Sequence, residues 1–562
     1  MLGRPVHQII QTSARRACGA SPLKRNLHTN GTPASKTSRS WASPALALTT
    51  GATFAYLAFG NSTLHAEAKS LLPGKNSSVV NLEDAKDLNG WTEPGVYLWG
   101  DNRGRVIAPE SSDICIRNPR RISFFDGKVL RDLRIGVAAA VAVSASGDIY
   151  QWGVDYDSEA KAPELTLKGK NIERVEMSTD TIFALSKDGM VYSVPISRKE
   201  QLEGKKPKES ALFGLSSTSS PISYRILQPA LGFGEKVSGI AAGDSHLVLL
   251  TSAGNVFTAA ASADYPTRGQ LGIKSLTWAT RPPGPFDMCH RVELPKGSSK
   301  IVQIAAGDLH SVLLDSEGKV YTFGDNTFGQ CGFDADLDKD SFETPTRIPS
   351  KYFTSAKDQD PHVRKISAGG NNTFYIVDSD TTMSTRRGSS NVETEEVYAS
   401  GKGIWGNLGN GKWTHMQGHP TRIKALSRLF EFDDATNSTS PIRVAYLAAG
   451  KTHSAAVLSN KSHANLTEEG TNIGSDVLFW GANQTAQLGN GKKNNFSSPQ
   501  NVLPLRYDRS KIDILGGPDT LIETKRLQVM PPTRMKTDAG NVVVEQRVYC
   551  GAGVSAVYSK VK

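Results

Sequence analysis

Residues 304–332 read IAAGDLHSVLLDSEGKVYTFGDNTFGQCG, and this stretch decides the fold. Its β-branched and aromatic residues form two short runs, around Val312 and around Val320 to Phe323, separated by Ser316-Glu317-Gly318-Lys319. Runs of that composition suit strands, and the glycine supplies the positive φ that a tight hairpin needs. The Ala305-Ala306-Gly307 run carries almost no side-chain bulk, so its backbone is free to approach a neighbour closely.

Outward from this stretch the pattern recurs. The second strand has counterparts beginning at Val96 (VYLWGDN), Ile149 (IYQWGVD), Val191 (VYSVPIS), Val256 (VFTAAAS), Val397 (VYASGKG) and Val477 (VLFWGAN). The first element recurs at Ile240 (IAAGDSHLVLL) and Leu447 (LAAGKTHSAAVL), with weaker copies at Ile135, Met177, Ile366 and Tyr549. In four copies the glycine position and the following strand are thirteen residues apart: Gly136 to Ile149, Ser178 to Val191, Gly243 to Val256 and Gly307 to Val320. A repeat of this length with several strands per unit is a propeller blade. The chain opens on a VYLWG strand with no AAG element before it and closes on a CGAG element with no VYxWG strand after it. The expected fold is therefore all-β, a seven-bladed β-propeller whose N- and C-terminal strands complete one blade and leave no bare sheet edge. The positions taken as structural are Trp99, Gly100, Trp152, Gly153, Gly243, His246, Gly307, His310, Phe323, Gly324, Gly450, His453, Trp480 and Gly481.

The 562 residues carry a formal charge of +10, with 21% charged and 7% aromatic residues. Seven cations (Arg4, Arg15, Arg16, Lys24, Arg25, Lys36 and Arg39) precede the first acid, Glu67, and account for most of that excess. The body is nearly balanced, so the charge is no argument for nucleic acid. The five cysteines (Cys18, Cys115, Cys289, Cys331 and Cys550) include no CxxC, which leaves no zinc or redox motif.

Residues 1–39 have the Arg/Ser/Thr-rich, acid-free composition of a mitochondrial presequence. Residues 40–64 are uncharged, and 42–60 (ASPALALTTGATFAYLAFG) have the length for one membrane span, with modest apolarity. The expected organisation is presequence 1–39, candidate transmembrane segment 40–66, linker 67–89 and propeller 90–562. The basic flank Lys36 and Arg39 would stay in the matrix, so the propeller would face the intermembrane space.

The compound motif AAGxxHxxxLxxxGxVYxWGxNxxGQLG resembles the regulator of chromosome condensation repeat. Its tail is matched by Arg268-Gly269-Gln270-Leu271-Gly272, Phe328-Gly329-Gln330-Cys331-Gly332, Ala486-Gln487-Leu488-Gly489 and Asn407-Leu408-Gly409. No strand ends in Trp-Asp, as a WD-type blade would. With the presequence and candidate span, the resemblance is to the fungal mitochondrial inner-membrane branch. That implies a non-enzymatic assembly factor for respiratory complex III, the ubiquinol–cytochrome c reductase, with complex III subunits or assembly intermediates as partners and the membrane engaged through 42–60. Other members imply two alternatives: an exchange factor or cofactor for a mitochondrial GTPase, and a ribosome-assembly factor in the matrix.

No catalytic, cofactor-binding or metal-binding residue is assigned. GxxxxGK[ST], GxSxG and HExxH are absent. His246, His310 and His453 share one repeat position, but zinc needs ligands converging on one point, and Thr181, Asn372 and Val554 replace the histidine in other copies. The resemblance implies a structural histidine with both ring nitrogens on neighbouring backbone. Binding is expected in the insertions Pro195–Gly232 (with Lys205-Lys206-Pro207-Lys208), Tyr265–Pro295, Asp378–Glu396, Asp433–Pro441 and Ser459–Ser475.

Overall fold

The computed structural model describes residues 86–210, 217–336, 340–353, 361–385, 388–433, 438–460, 474–507 and 526–562. The presequence, the candidate span 42–60 and most of the expected linker lie outside them. No helix among the described residues is long and apolar enough to cross a membrane.

The described chain is all-β. Each repeat forms an antiparallel array of four strands, as in the sheet Ile301–Ala306, His310–Asp315, Val320–Asp325, Ser341–Arg347. Four further sheets have the same plan, with inner strands Ile172–Met177, Val237–Ala242, Val363–Gly369 and Val444–Ala449. The last gains a short fifth strand, Gln528–Val529, on Ser475–Gly481. A nine-stranded sheet joins two more arrays. In one, the C-terminal strand Val554–Val561 lies between Gly540–Cys550 and Val96–Asp101, pairing Val96 with Tyr558 and Gly100 with Val554. The other begins at Leu130–Ile135, and a single parallel bridge, Leu130 to Lys560, links the two. The pairing of the first and last strands is the one the sequence predicts.

The second strand of each array explains why it reads as an unbroken apolar run. Its alternate residues enter two different cores. Leu247 and Leu249 pack with Phe183, Leu185 and Phe257, whereas Val248 and Leu250 pack with Leu313, Tyr321 and Phe323. Each core therefore lies between neighbouring sheets, and every fully buried leucine in it contributes about 1.5–3 kcal/mol. The inner strands share a defect as well. The ladder slips between the residues six and four before the glycine position in six of them: Leu130/Asp132, Ile172/Arg174, Val237/Gly239, Ile301/Gln303, Val363/Lys365 and Val444/Tyr446. A bulge re-aims the side chain that follows it.

Three expectations about boundaries and loops change. Residues 86–89, assigned to the linker, belong to the body: Asn89 accepts from the Gln528 amide at 3.0 Å, and Asp87 pairs with Arg506 at 2.7 Å. The insertion Asp378–Glu396 continues the ladder of strands 372–385 and 388–403 as far as Thr385 opposite Gly388. Within Asp433–Pro441, Asp433 and Ser438 end a second hairpin, Leu429–Asp433 against Ser438–Ile442. A Ser- and Thr-rich run suits strand or loop, and the facing strand decides it.

Truncation after Gly553 would strip one of two partners from both Val96–Asp101 and Gly540–Cys550, baring one edge of each. The expected result is loss of the single cooperative denaturant transition and association through bare edges, seen by size-exclusion chromatography. A monomer of unchanged stability would refute the shared-sheet architecture.

Candidate functional site

The repeat residues assemble at the seams between sheets. His246 Nε2 meets Ser311 Oγ at 2.9 Å, His310 Nε2 meets Thr373 Oγ1 at 2.8 Å, and His453 Nε2 meets Ser555 Oγ at 2.6 Å. Each hydroxyl belongs to the next array and donates onward to a glutamine carbonyl: Ser311 to Gln270 (3.4 Å), Thr373 to Gln330 (2.7 Å) and Ser555 to Gln487 (2.6 Å). A hydroxyl whose proton is so used accepts from the imidazole, which places the ring proton on Nε2. The expected pair of backbone bonds is thus corrected. One ring nitrogen reaches a side-chain hydroxyl across the seam, and Nδ1 of His310 has no hydrogen-bond partner. Each Nε2 is engaged by its own clamp.

The glutamine serves both sides of the seam. Its Oε1 holds its own turn, accepting from Phe328 N onto Gln330 (2.9 Å) and from Thr485 N onto Gln487 (2.9 Å). The main-chain oxygen of Gln487 also accepts from Trp99 Nε1 at 2.9 Å. Trp480 donates in the same way to Asn407 O (2.8 Å), and Trp152 to Val106 O (2.7 Å). Gly100, Gly153, Gly324 and Gly481, which follow the aromatic position, all have φ between +102° and +117°. The AAG glycines answer to space. A Cβ on Gly307 would come under 3.0 Å from both His310 Cε1 and Gly370 O.

The inner strands surround a channel of about 740 Å³. The residues four before the glycine position are Asp132, Arg174, Gly239, Gln303, Lys365, Tyr446 and Arg547, and those two before it are Arg134, Glu176, Ala241, Ala305, Ser367, Ala448 and Tyr549. One side of the channel is therefore filled by large side chains and the other by small ones. Arg134 spans to Glu176 (2.8 and 3.0 Å) and to Asp132 (2.7 Å). Backbone contacts link the glycine ends of neighbouring strands: Thr179 N to Asp244 O (3.1 Å), Asp244 N to Asp308 O (2.8 Å), Asp308 N to Gly370 O (2.8 Å) and Lys451 N to Gly551 O (3.2 Å). There the Lys451 ammonium pairs with both Asp244 and Asp308.

On the outer surface Ile404, Trp405, Trp413 and Met416 are exposed. Lys402 lies 4.7 Å from the Phe328 ring centroid and 5.0 Å from that of Trp405, which ties this patch to the neighbouring array. The sequence reading missed it, because these residues fall in the repeat tail and not in an insertion. The signal available was a pair of tryptophans, Trp405 and Trp413, flanking the Asn407-Leu408-Gly409 tail. Trp278 in the Tyr265–Pro295 insertion is also exposed, with Arg281 stacked at 4.1 Å. Lys205 and Lys208 of the basic run are exposed, and most of Ser459–Ser475 falls outside the described residues. The four described cysteines are free thiols.

A propeller built of such interlocking units is the class this geometry defines, and comparison with known proteins agrees. The profile described as the regulator of chromosome condensation (RCC1) repeat matches residues 301–330 and 317–376. The chain carries RCC1 repeats and has an RCC1-like propeller fold. It is 23% identical over 440 residues to Protein FMP25, mitochondrial, of Saccharomyces cerevisiae, covering 74% of this chain and 66% of that relative, just under two thirds of its length. It is 27% identical over 369 residues to the ultraviolet-B receptor UVR8 of Arabidopsis thaliana, covering 64% and 70%. Among solved structures, yeast RCC1 (Prp20) bound to Kap60 superposes with a TM-score of 0.52 at 17% identity, covering 90% of this chain and 97% of that one. Human WBSCR16 gives 0.51 at 16%, covering 83% and 99%.

The clamps predict a pH dependence. Burial holds the pKa of His246 down at about 4 and those of His310 and His453 at about 3. These rings stay neutral in the native state while the unfolded chain takes up protons below about pH 6.5. Stability is unaffected by them above that pH and falls as pH drops towards 4, by about 1.4 kcal/mol per unit for each ring. Asp308, raised to about 6 by burial, works in the opposite sense below pH 6 and offsets one of the three. The triple variant His246→Gln, His310→Gln, His453→Gln is expected to unfold more easily at pH 7 and to show a flatter slope between pH 6.5 and 4. Urea titrations across that range measure both. An unchanged slope would contradict the neutral-clamp assignment.

Proposed function

We propose that this chain is a non-catalytic, protein-binding propeller of mitochondria that serves the assembly of respiratory complex III. The observation that carries the mitochondrial reading is the match to the mitochondrial FMP25 over 74% of the chain, joined to an N-terminus with seven cations before its first acid. The assembly role is what the resemblance to the fungal inner-membrane branch implies. The ring is proposed to have seven blades closed by the first and last strands. A tether at residues 42–60 would hold it facing the intermembrane space.

Protein contact is supported by the exposed Ile404, Trp405, Trp413 and Met416. Tryptophan and methionine are enriched at protein interfaces, and a solvent-facing cluster of them is costly without a partner. The description of the solved yeast Prp20p names binding to Gsp1p and histones. No residue of this chain is matched to an exchange loop, so nucleotide exchange is not proposed here.

The test follows pulse-labelled, mitochondrially made proteins into native complexes in cells lacking the gene. Normal synthesis with stalled complex III is the expected result, and Trp405→Ala with Trp413→Ala should fail to restore assembly while the protein accumulates normally. Reduced synthesis of every labelled product would replace this reading with the ribosomal one. A propeller shielded from protease in mitoplasts and extracted by carbonate would remove the tether.

A further inference from the structure

The two ends of the channel differ in charge. The acidic end is formed where the strands finish: Asp155, Asp244 and Asp308 lie there, with Lys451 across two of them. The other end lies about five residues back along the inner strands, roughly 16 Å at strand spacing. Arg174 and Arg547 occupy the same repeat position there, and Lys560 sits in register with Leu130, two residues before Asp132. Both acids at this end, Asp132 and Glu176, are already taken by Arg134. Arg547 has Glu545 at 2.6 Å. Among the described residues, Arg174 and Lys560 make no ion pair.

Cations gathered around one cavity are costly, because they repel one another and Lys560 is also partly stripped of water. The effect is visible on Lys560, whose pKa is lowered by burial, partly restored by Asp132, and lowered further by Arg547, Arg134 and Arg174. A bound anion relieves that repulsion. Room for one comes from the small side chains of Ala241, Ala305, Ser367 and Ala448 on the facing strands. A volume of about 740 Å³ is that of a small-molecule site and too small for a folded segment of a partner. The carboxylates at the far end repel an anion, so it is confined to the basic end.

We propose that the Arg174–Arg547–Lys560 end of the channel binds a small organic anion bearing two or more carboxylate or phosphate groups. Guanidinium forks favour both groups through paired hydrogen bonds, and the lysine adds a third point of charge. The site is independent of the outer aromatic patch, so it stands or falls apart from the assembly role.

Calorimetric titration of the full-length protein with citrate and, separately, with pyrophosphate tests this. Saturable binding of either probe at one site per chain is expected, with Arg174→Gln and Lys560→Gln each weakening it at least tenfold. Binding of citrate alone would make the ligand a polycarboxylate, and of pyrophosphate alone a polyphosphate; both outcomes support the site. Arg174 is exposed, so its variant keeps the test valid if Lys560→Gln fails to fold. No binding of either probe, or binding equally tight in the Arg174→Gln variant, would overturn the proposal. So would a polyglutamate peptide that binds and is not displaced by either small anion.

Discussion

The architecture depends on how closely the glycine end of one inner strand approaches the next sheet. At Gly243, Gly307 and Gly450 a Cβ would meet main-chain oxygen of the neighbouring array at under 3.0 Å. Only hydrogen fits, and that proximity lets the main-chain bonds at Asp244 and Asp308 form between sheets. It also brings each histidine within reach of a hydroxyl on the next sheet. Replacing the glycine would therefore disturb a packing contact, a backbone bond and a buried polar clamp together.

The clamp accounts for the repeat motif as a set of contacts between copies. Histidine bonds the hydroxyl of the following copy, and that hydroxyl and a tryptophan indole meet at one glutamine carbonyl, as Gln487 O shows by accepting from both Ser555 and Trp99. A unit of this kind has unsatisfied polar groups until its neighbour is present, which makes the array cooperative. The neutral histidines are a consequence: burial removes the charge, and the donor–acceptor order of the relay requires a single tautomer.

The same inner strands that close the seams leave the channel chemically uneven. The bulge aims the residue four before the glycine towards the axis, and the repeat places no constraint on what that residue is. Asp132, Arg174, Gln303, Tyr446 and Arg547 therefore differ freely, while the positions that hold the seams do not. The variable inner residues and the exposed Trp405 and Trp413 are where this propeller differs from a generic one.

Much of the fold was legible because strand, hairpin and glycine signals are local. In four copies the VYxWG and AAGxxH elements lie thirteen residues apart, and their offset at the two chain ends announced that Val96–Asp101 would pair with Val554–Val561. The extended ladder at Asp378–Glu396 was misread as a loop, since its Ser- and Thr-rich composition suits either state until a facing strand exists. What the imidazoles bind was beyond the sequence, because Ser311, Thr373 and Ser555 lie 63 to 102 residues from their histidines. The channel likewise exists only in three dimensions. The sequence alone determined the repeating strand pattern and its spacing, which depend on backbone conformation and hydrophobic alternation. Only the tertiary structure decided which charges are left unanswered, because that depends on distances between residues from opposite ends of the chain.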